Sequence, residues 1–266
     1  MSPRIRRLLP LLIGIALLLP AAVPASAATG DVPSQGEASM LKLINAERTK
    51  RGLVSMRLDT RLAAIARNRS DYQARTGDAD HTQGSNTVFD MIEDANIRWY
   101  AAGEIIAQNR YYPTLLDSAK TAVSGWLGSS THRPILLSKG YNYVGIGFAT
   151  NPDNDRRYWT AVFMKGPDRT RPWAEAGRVS KSAVSTGIRV TLRWSGADRR
   201  LQVLTSGLRY FQVQRRTPTG SWRSWPTTTS TYKRVTYPRN RTVYVRVRSR
   251  DRAGNWSAWD TIKFST

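Results

Sequence analysis

Apolar residues recur every three to four positions in several stretches of the first half of the chain, a spacing that predicts amphipathic helices. The sequence predicts four such helices, which carry Met40 to Glu47, Leu62 to Tyr72, Phe89 to Ile92, and Leu115 to Trp126. Asp59 or Thr60 is suited to cap the second helix, and Thr114 with Asp117 resembles a capping box at the start of the fourth. The first half is therefore predicted to be rich in helices.

From about Arg178 onward the apolar spacing changes to two residues, which is typical of antiparallel strands that bury one face. The alternating apolar positions are Ile188, Val190, Leu192 and Trp194, then Phe211 and Val213, then Val243, Val245 and Val247. Two β-rich runs, 145–148 and 158–163, also interrupt the helical first half. These patterns predict an α+β domain followed by an all-β sandwich.

The N-terminus has the pattern of a secretory signal peptide. Arg4, Arg6 and Arg7 precede an apolar run over residues 8–23, and the small residues 25–27 provide a cleavage site. The run is too short for a transmembrane anchor, and no second apolar stretch of spanning length follows it. We therefore expect a secreted protein, with no transmembrane segment in the mature chain.

Composition narrows the possible chemistry. The chain has 0 cysteines, so disulfides and thiolate metal sites are excluded.

The net charge of the chain, +22, is concentrated after residue 175, where arginine is frequent and acidic residues are few. This asymmetry predicts an anionic partner, either a cell-envelope polymer or another extracellular polyanion, although arginine used only for solubility is an alternative. The candidate contact residues are Arg189, Arg193, Arg215, Arg216, Arg239 and Arg241. No base-reading motif is present, so a specific nucleic-acid partner is not expected.

The chain has 2 histidines, His81 and His132, and Glu104 lies between them in an otherwise apolar segment. Two imidazoles and one carboxylate can hold zinc or another divalent cation with one position open for water. The same groups can move protons or form a structural hydrogen-bonded cluster. No nucleophile-elbow pattern surrounds Ser129 or Ser130. The residue types alone leave these alternatives open.

The motifs around these residues resemble the bacterial branch of the CAP superfamily (cysteine-rich secretory proteins, antigen five and pathogenesis-related proteins). The resemblance runs from about Ala38 to Phe163. It is carried in order by residues 43–48, 58–66, His81, 89–92, 103–105, Trp126, 132–133, 144–147 and 158–163. It implies an α-β-α sandwich whose cleft holds two histidines and two acids. His81, Glu104 and His132 match three of these four residues, and the second acid would fall near Ser129.

The resemblance also implies a range of functions, because the family includes lipid-binding, metal-binding and signalling proteins, and proteolysis has been proposed for some. Our first hypothesis is a secreted, non-enzymatic protein that binds a small or lipidic ligand in its cleft and associates with the cell envelope, with a divalent metal as a further candidate for the cleft. The alternative is a secreted metal-dependent hydrolase, of the peptidase or esterase type, that uses His81, Glu104 and His132.

Residues 243–255 and 192–195 resemble two strands of a fibronectin type III domain. The sequence Trp256-Ser257-Ala258-Trp259 resembles the Trp-Ser-x-Trp motif of cytokine-receptor domains, in which arginines stack between the tryptophans. Arg246 and Arg248 are therefore expected to interleave with Trp256 and Trp259 in a structural cation–π ladder.

The fold class is therefore α+β: a CAP-type α-β-α sandwich followed by an all-β fibronectin type III-like sandwich. The predicted organisation is a signal peptide (1–27), an N-terminal extension (28–37), a CAP domain (38–166), a linker (167–177) and a type III-like domain (178–266).

Overall fold

The computed structural model describes residues 34–266, so the predicted signal peptide lies outside the described residues. Its helices are α1 (Gln35–Thr49), α2 (Thr60–Thr76), α3 (Val88–Asp94), α4 (Leu115–Gly128) and α5 (His132–Leu136). The strands of the first half are β1 (Arg57–Leu58), β2 (Thr82–Gln83), β3 (Asn86–Thr87), β4 (Ala101–Arg110), β5 (Tyr143–Asn151) and β6 (Arg156–Lys165). The remaining strands are β7 (Trp173–Val184), β8 (Gly187–Ala197), β9 (Leu208–Arg216), β10 (Arg223–Ser224), β11 (Tyr232–Tyr237), β12 (Thr242–Asp251) and β13 (Asp260–Ser265).

Side-chain caps set the ends of the helices in the first half. Ser34 and Glu37 form a reciprocal capping box at the start of α1. The carboxylate of Asp59 accepts two backbone N–H groups at the start of α2, and the hydroxyl of Thr114 accepts one at the start of α4. Helix α2 ends at Gly77, whose φ of 77° is in the left-handed region that glycine adopts without steric cost.

The central sheet of this first domain has the strand order β1-β5-β6-β4, with β1 parallel to β5 and the other pairs antiparallel. One face packs against α1, α4 and α5 around residues such as Ile44, Trp126 and Trp159. The opposite face packs against α2 and α3 around Leu62 and Val162. Helices therefore cover both faces of the sheet, which confirms the predicted α-β-α arrangement.

Two glycines of β5 allow α2 to lie directly against the sheet. A Cβ placed on Gly145 would lie 2.1 Å from the backbone of Leu62, and one on Gly147 would lie 2.1 Å from the backbone of Ala66. No side chain fits such distances, so the glycine pair serves helix–strand packing. The position of α2 matters for function because this helix carries a residue of the candidate site.

The second domain, β7 to β13, consists of two antiparallel sheets with the orders β11-β8-β7 and β10-β9-β12-β13. Alternate residues point inward from both sheets, and Val190, Trp194, Phe211 and Val245 lie in the shared core. Strand β7 begins at Trp173 and pairs with β8 from its first residue, so it includes the last five residues of the segment predicted as a linker. The α+β class followed by a β-sheet region is confirmed.

The two domains share contacts through the loop that follows β8. Leu201 is buried in the first-domain core beside α2 and α3. The side chain of Gln202 accepts the N–H of Val54 at 2.7 Å, and Asn142 donates to the carbonyl of Val203 at 3.2 Å. These contacts make the loop part of the first domain's packing, and the described residues belong to one compact unit.

No helix within residues 34–266 combines the length and apolar character needed to cross a bilayer.

Candidate functional site

Glu104 is the buried centre of the predicted cluster. It lies on the edge strand β4, and its side chain is only 3% exposed. Arg69 of α2 is fully buried beside it and donates from Nε to Oε1 at 2.9 Å and from Nη2 to Oε2 at 3.3 Å. The same guanidinium donates to the carbonyl of Asp80 at 2.7 Å, which fixes the loop that leads to His81. The carboxylate thus has a buried cationic partner already in place.

His81 lies at the surface end of this cluster, with a side chain that is 53% exposed. Its Nδ1 is 2.8 Å from Oε2 of Glu104. This hydrogen bond raises the pKa of His81 above its ordinary value, although partial burial opposes the shift. The glutamate therefore stabilises the protonated imidazole and orients its ring, with Nε2 pointing away from the carboxylate.

His132 begins the short helix α5, and its ring centroid lies 6.4 Å from that of His81. Burial lowers the pKa of His132, and the charge of His81 lowers it further. Ser129, at the position where the second acid was expected, accepts the backbone N–H of His132 at 3.2 Å and that of Thr131 at 3.3 Å. In this chain Ser129 therefore orders the backbone that carries His132.

This donor set fits a divalent metal poorly. Both oxygens of Glu104 already accept hydrogen bonds from Arg69, and a cation would lie next to the buried guanidinium. Among residues 34–266, the metal-type group of three whose ligand atoms lie within 4.8 Å of one another consists of Asp168, Asp198 and Asp251, so the cleft cluster lacks that closeness. The arrangement is suited to holding protons and donating hydrogen bonds.

His81 and Glu104 form one wall of a cleft of about 320 Å³. The remainder of the wall is mostly apolar and is contributed by β4, α3, α5 and the segment before β5, through Val88, Phe89, Ala102, Ile135 and Tyr141. The Tyr141 hydroxyl donates to the carbonyl of Ala102 at 3.1 Å, and a side chain on Gly103 would meet that hydroxyl at 2.9 Å. The cleft is therefore open because Gly103 has no side chain, and it combines an apolar wall with one polar end.

The first domain is similar to known proteins. Residues 41–163 match the model of the cysteine-rich secretory protein family, CAP. The match supports a CAP domain. It spans every residue of the cluster and all elements that line the cleft.

Two curated proteins of Bacillus subtilis (strain 168) are similar to this part of the chain. The uncharacterized membrane protein YlbC is 30% identical over 135 residues, which cover 50% of this chain and 36% of that protein. The uncharacterized protein YkwD is 30% identical over 131 residues, which cover 48% of this chain and 46% of that protein. The chain thus spans less than half the length of either relative.

A solved structure of an extracellular protein containing a SCP domain from Bacillus anthracis is 23% identical. The alignment covers 49% of this chain and 40% of that one, with a TM-score of 0.42.

One group of tryptophans and arginines of the second domain stacks on the outer face of the four-stranded sheet. Arg246 stacks between Trp222 and Trp259, at 4.3 and 4.2 Å from the ring centroids. Arg248 stacks between Trp259 and Trp256, at 4.5 and 3.9 Å. Burial lowers the pKa of both arginines. We call this alternation of Trp222, Arg246, Trp259, Arg248 and Trp256 the cation–π ladder.

The six arginines predicted to contact an anionic partner do not form one patch. Arg189 and Arg193 lie exposed on β8, in the three-stranded sheet. Arg215 and Arg216 end β9 in the other sheet, and the exposed Arg239 and Arg241 flank the turn before β12. The basic residues are therefore distributed over two sheets and one end of the sandwich.

Two residues of the sites were missed by the sequence interpretation. Arg69 was not among the candidates, yet a charged residue on the buried face of a helix needs a buried partner of opposite charge. Trp222 was not predicted as a member of the cation–π ladder, whereas its ring centroid lies 4.3 Å from the guanidinium carbon of Arg246. The need of Arg69 for a partner could be read from the sequence, but the identity of that partner could not. The position of Trp222 depended on the pairing of β9 with β12.

Proposed function

We propose that this protein is secreted and binds a small, largely apolar ligand in the CAP cleft without turning it over. The observation that carries the proposal is the state of Glu104, whose two oxygens are engaged by Arg69 and His81. A carboxylate held in this way is a poor general base and a poor metal ligand, but it orients the His81 imidazole at the polar end of the cleft and favours its protonated form. The apolar wall formed by Val88, Phe89 and Ile135 suits a hydrocarbon portion of the ligand.

Binding of a neutral fluorescent hydrophobe such as Nile red tests the cleft. Phe89 lines it and is 41% exposed, while Leu116 lies elsewhere on the surface and is 43% exposed. We expect saturable binding that Phe89→Asp weakens by about tenfold or more, since a carboxylate in the apolar wall must be desolvated. The matched Leu116→Asp variant should bind like the wild type. Equal loss in both variants would contradict the assignment to the cleft.

Calorimetric titration with Zn²⁺ tests the hydrolase alternative, with His81→Ala and His132→Ala variants beside the wild type. We expect no stoichiometric binding that depends on both histidines, because Arg69 occupies the carboxylate. Stoichiometric binding abolished by both substitutions, together with hydrolysis of an ester such as p-nitrophenyl acetate lost in the same variants, would replace the binding proposal with a metal-dependent hydrolase.

We further propose that the second domain is fibronectin type III-like and associates with an anionic polymer of the cell envelope. The two-sheet sandwich of three and four strands supports the first statement. The excess of arginine after residue 175 supports the second. Retention of the protein on an immobilised polyanion at low salt, and its release as salt rises, tests the association.

A further inference from the structure

The open end of the second domain contains a pocket of about 410 Å³ between the two sheets. Four arginines line it, Arg215 and Arg216 at the end of β9, Arg223 on β10 and Arg241 just before β12. Tyr237, Pro238 and Val243 add apolar surface, and the turn at 217–221 completes the rim. The pocket thus combines a concentrated positive charge with an apolar side.

These arginines have no acidic partner. The ion pairs found across residues 34–266 all lie at or before Arg169, so none neutralises a side chain of the second domain. Four uncompensated guanidinium groups around one pocket repel one another. Such an arrangement is expected where an anion supplies the missing charge.

The four arginines are held in different ways. Arg215 lies over the ring of Trp225 at 5.2 Å, and Arg216 lies between Trp222 and Tyr244 at 5.0 and 4.9 Å. The buried Nε of Arg216 has no hydrogen-bond partner. The side chains of Arg223 and Arg241 are exposed and make no hydrogen bond or ion pair within the described chain. Two groups are therefore fixed by stacking and two are free to close on a ligand.

We propose that this pocket is a phosphate-binding subsite, in which Arg223 and Arg241 grip the phosphate oxygens and Arg215 with Arg216 supply a fixed positive wall. The inference rests on the proposed association with an anionic polymer and names its chemistry. Guanidinium groups match the oxygens of phosphate in paired hydrogen bonds, and several guanidinium groups can contact its non-bridging oxygens at once. The apolar side leaves room for the alkyl or sugar portion that carries the phosphate.

The test compares two double variants of the purified protein that lose the same charge. Arg223→Gln with Arg241→Gln removes the free arginines of the pocket, and Arg189→Gln with Arg193→Gln removes two exposed arginines of β8 outside it. Each protein is titrated with a glycerol phosphate oligomer, with the glycerol phosphate monomer and with polygalacturonate, while amide chemical shifts are followed. Circular dichroism checks that each variant is folded.

We expect the oligomer to shift the amides of Gly220 and Ser221 and to bind about tenfold or more weakly to the pocket variant, with less than about a twofold change in the β8 variant. A monomer that binds more tightly than the oligomer supports the same pocket with a free phosphomonoester as its ligand, and the reverse order supports a polymer.

Equal weakening in both double variants would overturn the pocket while leaving a diffuse polyanion association intact. No oligomer binding to the wild type would overturn both. Polygalacturonate bound as tightly through the same two arginines would overturn the phosphate assignment.

Discussion

Glu104 links two groups of opposite exposure, the buried Arg69 and the largely solvent-accessible His81. The carboxylate is buried from water, and the guanidinium of Arg69 compensates its charge. The imidazole of His81 forms a further hydrogen bond with Oε2. The pair also joins α2 to the edge strand β4, two elements that come from separate parts of the chain. A site built in this way is rigid at its base and can titrate at its surface.

The two histidines are expected to titrate on opposite sides of the ordinary histidine pKa. Glu104 raises the pKa of His81, so its contribution to stability is complete below the ordinary value and is lost as pH rises through the raised one. Burial lowers the pKa of His132, so its contribution is present above the ordinary value and is lost as pH falls through the lowered one. Imidazole NMR titration measures both pKa values, and His132→Gln assigns the signals. Coincident curves would contradict the proposed geometry.

Removing the buried cation should cost more than removing the buried pair. Arg69→Leu leaves the Glu104 carboxylate without its guanidinium partner, and we expect the free energy of unfolding to fall by about 3–5 kcal/mol. Arg69→Leu combined with Glu104→Leu removes both charges and should cost less than the single variant. Urea unfolding provides the measurement. The single variant Glu104→Leu completes the comparison. If the double variant loses as much free energy of unfolding as the two single variants added together, the two side chains are not coupled.

At the scale of elements, β12 depends on its outward face as well as its core face. Its inward residues Val243, Val245 and Val247 alternate with Arg246 and Arg248, which the cation–π ladder holds flat against the sheet. Each guanidinium also donates to a glutamine of β9, Arg246 to Gln214 and Arg248 to Gln212, at 2.8 Å from Nε. The ladder thus joins β9, β12 and the segment before β13 across the surface of the sheet.

Trp259→Ala is expected to destabilise the second domain by about 1–2 kcal/mol through the cation–π contacts alone, because both Arg246 and Arg248 lie against this ring. Trp173→Ala is a suitable control, since Trp173 is 39% exposed and makes no cation–π contact in the described chain. Thermal unfolding by circular dichroism compares the two. Equal destabilisation by the two substitutions would show that the cation–π contacts add no stability beyond the burial of a tryptophan ring.

At the scale of the whole molecule, the loop after β8 couples the unfolding of the two domains. Leu201 fills a position in the first-domain core although it belongs to the second domain by sequence. Backbone groups of Val54 and Val203 are satisfied by side chains from the opposite domain. Unfolding of either domain therefore exposes apolar and polar surface of the other.

Leu201→Ala should lower the free energy of unfolding by about 2–5 kcal/mol, the usual cost of emptying a buried leucine site. It should also separate the unfolding of the two domains in calorimetry, because the shared contact is lost. Leu204→Ala lies in the same loop but is 40% exposed, and it should change stability by less than about 0.5 kcal/mol. A single unchanged transition in the Leu201 variant would contradict the coupling.

The periodicity of the sequence was sufficient to predict the α+β class, the helices capped by Asp59 and Thr114, and the alternating strands of the second half. These features depend on interactions between residues close in sequence, whose spacing is directly visible. The CAP motifs also indicated that His81, Glu104 and His132 belong to one site. Pattern and motif therefore determined the type of fold and the candidate residues.

Only the tertiary structure decided which partners those residues have. Arg69 and Glu104 are 35 residues apart, and their pairing depends on how closely two glycines let α2 approach the sheet. The insertion of Leu201 into the neighbouring domain and the gathering of Arg223 with Arg241 likewise depend on packing between distant segments. Local patterns carry no information about such contacts, because they depend on the shape and charge of segments that are distant in sequence and meet only in the folded chain.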